Sequence, residues 1–373
     1  MHFSQRILQI KPSATLSINA KAAELKAQGQ EVISLAAGEP DFLPPQHVLQ
    51  AASTAVDQGW VKYTPVPGLP ELRQQIAANC TDRYHCQITP GMTIVTNGGK
   101  QGLYNLFQCL LDPEDEVLIP APYWVSYPDM VGLAAARPVI VPSSPERGFL
   151  LTPEELEPYV SGKTRILIVN TPSNPTGAHY SQADLDRLLQ WAMDRGLFVI
   201  SDEIYDELVY PPARASTAGT WLDRYPEQIA ICNGLSKSFA MTGWRLGYVL
   251  GHPDLVAKLS TLQGQSTSNV CVLVQRAALA AFQGSTEFLQ QHRSIFQRRR
   301  DAALEHISTW PGVHCPCPDG AFYLFPRMDE LYTQKMPDST TLCAHLLDSA
   351  LVATVPGVAF GDDRCLRFSY ALD

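Results

Sequence analysis

Four features of the sequence converge on one chemistry. Lys237 lies in the loop Gly234-Leu235-Ser236-Lys237-Ser238 behind an apolar, β-branched run, and Asp202 ends another such run. Arg245 follows the lysine by eight residues, and Gly98-Gly99 forms a turn ahead of a helix-like segment. A helix that opens on glycines presents free N–H groups that favour a phosphate, and an arginine adds bidentate, charge-assisted bonds. A lysine desolvated enough to be neutral part of the time can form a Schiff base with an aldehyde. An aspartate at a strand end can hold a protonated ring nitrogen.

A phosphate, an aldehyde and a basic heterocycle in one ligand describe pyridoxal phosphate, which calls for a lysine and an acidic partner to its ring nitrogen. Competing templates fail on spacing. Gly98-Gly99-Lys100-Gln101-Gly102 lacks the Gly-x-Gly-x-x-Gly of a dinucleotide fold and the Ser or Thr that follows Gly-Lys in a P-loop. The loop around Ser236 resembles a nucleophile elbow but ends in Ser238 where glycine is required. There is no His-Glu-x-x-His and no metal is expected. Taken singly, each residue has a plainer role. Lys237 and Lys100 read as surface lysines, Asp202 as the N-cap of a helix over 204–209, Trp124 as core filler and Arg367 as an edge-strand charge.

The elements that must position these residues repeat one pattern, a short apolar run, a loop of Gly, Pro, Asn or Ser, then an amphipathic helical stretch. Strands are expected at 93–96, 116–119, 139–141, 165–169, 197–201, 228–232 and 246–250. Alternation of strand and helix predicts a parallel sheet covered on both faces, and several runs are too apolar to have a wet face. Ligands of such sheets bind beyond the carboxyl ends of the strands, where five polar loops would converge. Outside this region a helix over 14–28 is expected to end at Gly29, and a long helix over 287–308 carries Arg298-Arg299-Arg300 on a solvated face. A β-rich tail follows at 322–325, 351–355 and 366–370. The expected fold is therefore a doubly wound, mostly parallel α/β domain over residues 41–284, with a smaller α+β domain built from 1–40 and 285–373.

Composition narrows the function classes. With 373 residues, 45% hydrophobic and 17% charged, the chain reads as globular. Its 28 Lys and Arg against 37 Asp and Glu give a net charge of −9, so no global basic field draws nucleic acid or an anionic membrane, and an anionic ligand must be held locally. Nine scattered cysteines without a Cys-x-x-Cys pair favour buried free thiols over disulfides or zinc. Neither a long apolar span nor a secretory start is found, which predicts a cytoplasmic location.

The run Ser236-Lys237-Ser238-Phe239-Ala240-Met241-Thr242-Gly243-Trp244-Arg245-Leu246-Gly247-Tyr248 closely resembles the lysine-site signature of class I and II aminotransferases. Asn174-Pro175-Thr176-Gly177, Ser201-Asp202-Glu203-Ile204-Tyr205, Tyr63 with Gly68 and Leu72-Arg73, and Pro122-Tyr123-Trp124 fall in that family's order, so the resemblance spans nearly the whole chain. Through Ser13-Ala14-Thr15, Ala37-Gly38-Glu39-Pro40-Asp41-Phe42 and Gly98-Gly99-Lys100-Gln101 it is most similar to the prokaryotic-type aspartate aminotransferases, some of which also use prephenate.

The resemblance implies a fold-type-I enzyme with pyridoxal 5'-phosphate that moves an amino group between aspartate or glutamate and a 2-oxo acid, by a ping-pong mechanism and as a homodimer. It further implies that Lys237 binds the cofactor and shuttles the proton, Asp202 pairs with the ring nitrogen, and Tyr205 and Asn174 meet the ring oxygen. Trp124 would stack on the ring, and Gly98, Gly99 and Arg245 would hold the phosphate, joined by Tyr63 from a second subunit. Arg367, Asn174 and Gly38 would enclose the substrate α-carboxylate, with Lys100, Ser13 and Thr15 at its distal end. The sequence departs from the family in having Gly234 where many relatives carry a phosphate-binding serine, and in stopping at Asp373 where relatives continue into a final helix. Prephenate, aromatic or alanine substrates, or a lyase reaction on the same fold, are the alternatives. A cofactor-binding transcription regulator would need a DNA-binding domain before residue 40.

Overall fold

The computed structural model describes residues 1–10 and 14–373. In chain order its strands are β1 (Ile33–Ser34), β2 (Thr93–Thr96), β3 (Glu116–Ala121), β4 (Arg137–Pro142), β5 (Thr164–Asn170), β6 (Phe198–Asp202), β7 (Ile229–Gly234), β8 (Gly247–Leu250), β9 (Tyr323–Leu324), β10 (Val352–Ala353), β11 (Val355–Pro356) and β12 (Leu366–Ser369). The seven strands β2 to β8 form one sheet in the order β2-β8-β7-β6-β5-β3-β4. The pairs β3–β4, β3–β5, β5–β6 and β6–β7 are parallel, whereas β8 is antiparallel to both of its neighbours. All seven expected strands form, shifted by a residue or two at their ends.

Successive residues of these strands feed opposite cores, as the two-residue period of a strand requires. Leu167, Val169, Val199, Ile229 and Ile231 join one cluster with Leu72 and Ile76 of the helix Pro70–Tyr84 and Leu185, Leu188 and Leu189 of the helix Gln182–Asp194. Their neighbours Ile166, Ile168, Ile200, Ala230 and Cys232 join a second with Leu103, Leu106 and Phe107 of the helix Gly99–Leu110 and Val256 and Leu259 of the helix Pro253–Gly264. Helices thus cover both faces, which is why the strands read as unbroken apolar runs.

The rest of the chain packs around two other clusters. One joins Tyr205, Leu208 and Tyr210 with Phe296, Phe322, Tyr323, Phe368 and Tyr370, the other Ala22 and Val32 with Val355, Phe360 and Cys365. Here β1 pairs with β10, which brings residues 33–34 beside 352–353, and β12 lies between β11 and β9. The single strand expected over 351–355 is split because β10 pairs with β1 and β11 with β12, so the chain changes sheets at Thr354. The helix Ala14–Ala27 ends as expected, with Gly29 at φ +86°.

Three local expectations need correction. No helix starts after Asp202; residues 204–207 form turns, and the Ile204 N–H is donated to Asp202 Oδ1 at 3.3 Å. The nine cysteines are all free, but Cys271 and Cys317 are exposed rather than buried. Of the arginine run only Arg298 faces solvent. Arg299 donates to Asp41 Oδ1 and Oδ2 at 3.0 and 2.7 Å and to Ala371 O at 3.0 Å, with its guanidinium 5.4 Å from the Phe42 ring. Arg300 is buried, donates to Pro318 O at 2.9 Å and lies over Tyr210. A helix face that must join both chain ends cannot be left to water. Among the described residues no helix is long and apolar enough to cross a membrane.

Because Arg299 is a partly buried, bidentate partner, Arg299→Ala should cost about 1.5–3 kcal/mol, the range for hydrogen bonds to a charged group. Arg298→Ala should change stability by less than about 0.5 kcal/mol. Urea midpoints at unchanged slope measure both.

Candidate active site

Loops at the carboxyl edge of the large sheet enclose a cavity of about 470 Å³, within the roughly 300–1,000 Å³ range of small-molecule sites. It is bounded by Gly99, Lys100, Trp124, Asn174, Asp202, Tyr205, Lys237 and Arg245 from the large sheet's loops, and by Thr15, Gly38, Tyr323 and Arg367 from the chain ends. The antiparallel strand β8 starts at this edge. The hairpin between β7 and β8 therefore presents both Lys237 and Arg245 to it.

Glycines permit three chain segments to meet beneath the cavity. Gly247 pairs with Gly234 on one side and with Thr96 on the other. A Cβ on Gly247 would lie 2.4 Å from the Gly99 nitrogen, and one on Gly234 only 2.9 Å from the Gly247 Cα. Both are closer than real Cβ atoms come, so Gly234 stands where this packing leaves no room for the serine many relatives carry. Gly98 has φ +82°, and a Cβ there would fall 2.4 Å from Arg245 Nη2. The helix Gly99–Leu110 opens at this point, so N–H groups without intrahelical partners, Arg245 and Lys100 face one recess. Arg245 itself takes a left-handed φ of +57°, and its Nη1 donates to Thr242 O at 2.8 Å.

Two titratable groups depart from their solution behaviour. Burial pushes the Asp202 carboxyl up to about 6, although the Tyr127 hydroxyl donates to its Oδ2 at 2.6 Å and, with the Ile204 N–H and Lys237, favours the ionised form. Lys237 is lowered to about 8, first by burial and then by Arg367 and Arg245, against the opposing pull of Glu39 and Asp202. Its Nζ donates to Gly38 O at 2.6 Å. The result is an amine that is neutral for a sizeable fraction of the time near pH 8, which nucleophilic use requires.

Arg367 is 2% exposed and has no carboxylate partner among the described residues. Its Nη1 and Nη2 donate to Asn174 Oδ1 at 3.1 Å and Ala36 O at 2.8 Å, while the buried Nε has no partner. The guanidinium lies 4.6 Å from the Tyr323 ring centroid and 5.0 Å from that of Phe360. A buried cation held by two carbonyl-type oxygens and two rings lacks only an anion. Lys100, in the first turn of its helix, holds its Nζ 4.8 Å over the Trp124 ring at the cavity wall.

Most residues marked in the sequence thus gather in one place. Tyr63 does not; it is 91% exposed, outside the cavity, and Ser13 lies outside the described residues. Several wall residues were not singled out by the sequence. Ser236, Thr242 and Glu39 stand inside segments whose neighbours were marked, whereas Tyr323 on the wall and Tyr127, buried outside it and donating to Asp202, carry no local signal.

The profile of the family described as aminotransferase class I and II matches residues 30–373. The chain is 42% identical over 372 residues to an aspartate aminotransferase of Bacillus subtilis (strain 168), covering 100% of this chain and 95% of that one. It is 43% identical over 375 residues to an aspartate/prephenate aminotransferase of Cereibacter sphaeroides, with 99% and 94% covered. Among solved structures it is similar to the aspartate aminotransferase of Rhizobium meliloti, at TM-score 0.95 and 38% identity over 100% of this chain and 95% of that one. The Thermus thermophilus aspartate aminotransferase with maleate gives TM-score 0.94 at 40% identity, over 100% and 96%.

The lowered Lys237 makes a direct prediction. In protein dialysed free of small molecules, acylation of this amine should rise with pH to half its maximum near pH 8, where ordinary lysines require about 10.4. Peptide mapping against a pH series measures it, and a midpoint near that of surface lysines would refute the shift.

Proposed function

The chain belongs to the class I and II aminotransferase family and is a pyridoxal-phosphate-dependent enzyme, and on that premise we propose that it moves the amino group of aspartate or glutamate to a 2-oxo acid at the cavity described above. The observation that carries this reading is the buried, carboxylate-free Arg367 facing a lysine that is readily neutral, with Asp202 on the floor between the strands.

The residues present fit the cofactor. The recess at Gly98-Gly99, which a single Cβ would fill, together with Arg245, suits the phosphate, and Ser236 at the wall can supply a hydroxyl in place of the serine that Gly234 replaces. Asp202, a buried carboxyl short of a cation, suits a protonated ring nitrogen. Tyr205 and Asn174 suit the ring oxygen, and Trp124 one face of the ring. When bound, pyridoxal phosphate supplies the electron sink that stabilises negative charge at the substrate α-carbon.

The chain's own residues supply the rest. With the cofactor bound, the Lys237 Nζ would take the proton from the substrate α-carbon and later return one, work that typically contributes about 10²–10⁴-fold. The Tyr127 hydroxyl favours the ionised form of Asp202, which would keep the ring nitrogen of a bound cofactor protonated. Arg367 takes the α-carboxylate with its free Nε, Asn174 orients the guanidinium, and Gly38 closes over it. In the ping-pong mechanism general to the family, the same groups act in reverse on the second oxo acid.

The distal carboxylate needs its own cation because desolvating an unpaired charge is costly. Lys100 is that cation, with Thr15 lining the same cavity; the assignment of Ser13 to this end comes from the resemblance. Residues 1–40 and 285–373 form the domain that closes on the substrate, and 41–284 the domain that carries the cofactor. The working form is a homodimer in which Tyr63 reaches the partner's phosphate site; its 91% exposure, beside exposed Trp60 and Val61, supports that reading. Nine free thiols favour a reducing compartment, the cytoplasm.

Two variants test this. Lys237→Ala should lose nearly all turnover and the absorbance change seen on adding an amino donor. Lys100→Ser should lower kcat/KM for aspartate and glutamate about 10–150-fold, the loss of a charged contact of about 1.5–3 kcal/mol, with alanine and phenylalanine little changed. An unchanged aspartate-to-alanine ratio would remove Lys100 from the reading. A panel of oxo acids that includes prephenate, which the Cereibacter relative's name couples with aspartate, fixes the acceptor.

A further inference from the structure

Tyr323, on β9, touches both halves of the site at once. Its hydroxyl lies 2.8 Å from that of Tyr205, and its ring supports the Arg367 guanidinium at 4.6 Å. It is 1% exposed and lines the cavity, and its ring stands edge-on to Tyr205 at a centroid distance of 5.8 Å. A Cβ on Gly38 would meet its hydroxyl at 3.2 Å, so the segment over the cavity also packs on it.

Two neutral hydroxyls that share one hydrogen bond have one proton left over, and which hydroxyl keeps it decides what the cavity meets. The charged groups facing the pair settle the direction. Arg367 from β12 favours release of a proton from both hydroxyls, and most from Tyr323, over whose ring it lies; Glu39 from the N-terminal segment opposes this at Tyr323, and Asp202 from β6 opposes it at Tyr205. Burial keeps both phenols protonated. Tyr323, made the better donor by the cation on its ring, gives its proton to the Tyr205 oxygen, and Tyr205 is left with its own proton to give.

We propose that Tyr323 is a positioning residue that aims the Tyr205 hydroxyl into the cavity and links it to the charge state of Arg367. The proposal rests on the assignment of Tyr205 to the ring oxygen of the cofactor. A carboxylate bound at Arg367 offsets the cation, weakens donation by Tyr323, and so weakens the bond that Tyr205 makes. Occupancy of the carboxylate site is then felt at the ring oxygen through Tyr323 and Tyr205, beside the direct link that Asn174 makes to Arg367.

The test uses the cofactor-loaded enzyme without substrate, titrated with pH while the near-visible absorbance of the bound cofactor is followed. Tyr323→Phe keeps the ring under Arg367 and removes only the hydroxyl. The midpoint should rise by about 0.4–1 pH unit, the worth of one net hydrogen bond, because negative charge on the ring oxygen loses support. In a Tyr205→Phe background the same substitution should produce no further shift. Saturating succinate, a dicarboxylate with no amine to react, should raise the midpoint less in Tyr323→Phe than in the wild type. An unmoved midpoint, a shift that persists without the Tyr205 hydroxyl, or equal succinate shifts would each overturn the proposal. A wild-type protein that shows no cofactor absorbance lost on Lys237→Ala would instead overturn the assignment of the site on which the proposal rests.

Discussion

The site depends on a point where three backbones touch with no side chain between them. Gly247 fills the space between Gly234 and the Gly98-Gly99 turn so closely that a Cβ on Gly247 or on Gly234 would overlap the neighbouring backbone. That contact fixes the start of the helix Gly99–Leu110 relative to the hairpin carrying Lys237 and Arg245. It also accounts for Gly234 as a packing residue. A protein interior is dense enough that one added methyl forces either strain or separation, and separation here would open the anion recess.

Electrostatics explains how a chain of net charge −9 can receive anionic ligands. Arg245, Lys100 and Arg367 all line one cavity, and the carboxyls nearest to it are either buried or placed at its edge. Burial first, and then repulsion from neighbouring arginines, lowers Lys237 and Lys100, and burial lowers Arg367. The cavity is thus electrostatically unsatisfied by its own residues, as a site that binds phosphate and carboxylate must be. Asp202 is the inverse case, a carboxyl raised by burial that a bound cation would return to the ionised form.

The two ends of the chain complete the enclosure. Ala36, Gly38 and Glu39 hang across the cavity by bonds to Arg367, Lys237 and Thr242, the same residues, or neighbours of those, that a ligand would recruit. Bonds to Arg367, Lys237 and Thr242 hold this segment over the cavity, and Arg299 anchors it from behind through Asp41.

Local chemistry made much of this protein legible in its sequence. Apolar β-branched runs, glycine turns and the polar loops behind each run depend on neighbours in the chain, so the seven strands and the loops bearing Lys237, Asp202, Arg245 and Gly98-Gly99 could be read in order. The resemblance carried by residues 236–248 named the family and the cofactor. What the sequence could not show were relations between residues far apart in it. Strand β8 runs against its neighbours, the 351–355 run divides between two sheets, and two of three successive arginines turn inward because their partners are Asp41 and Pro318. Tyr127 and Tyr323 have no periodic or local signature, since each is defined only by what stands opposite it, Asp202 in one case and Tyr205 with Arg367 in the other. Backbone preference and hydrophobic period are properties of a few adjacent residues, whereas a hydrogen bond across 118 positions exists only once packing has brought its two ends together.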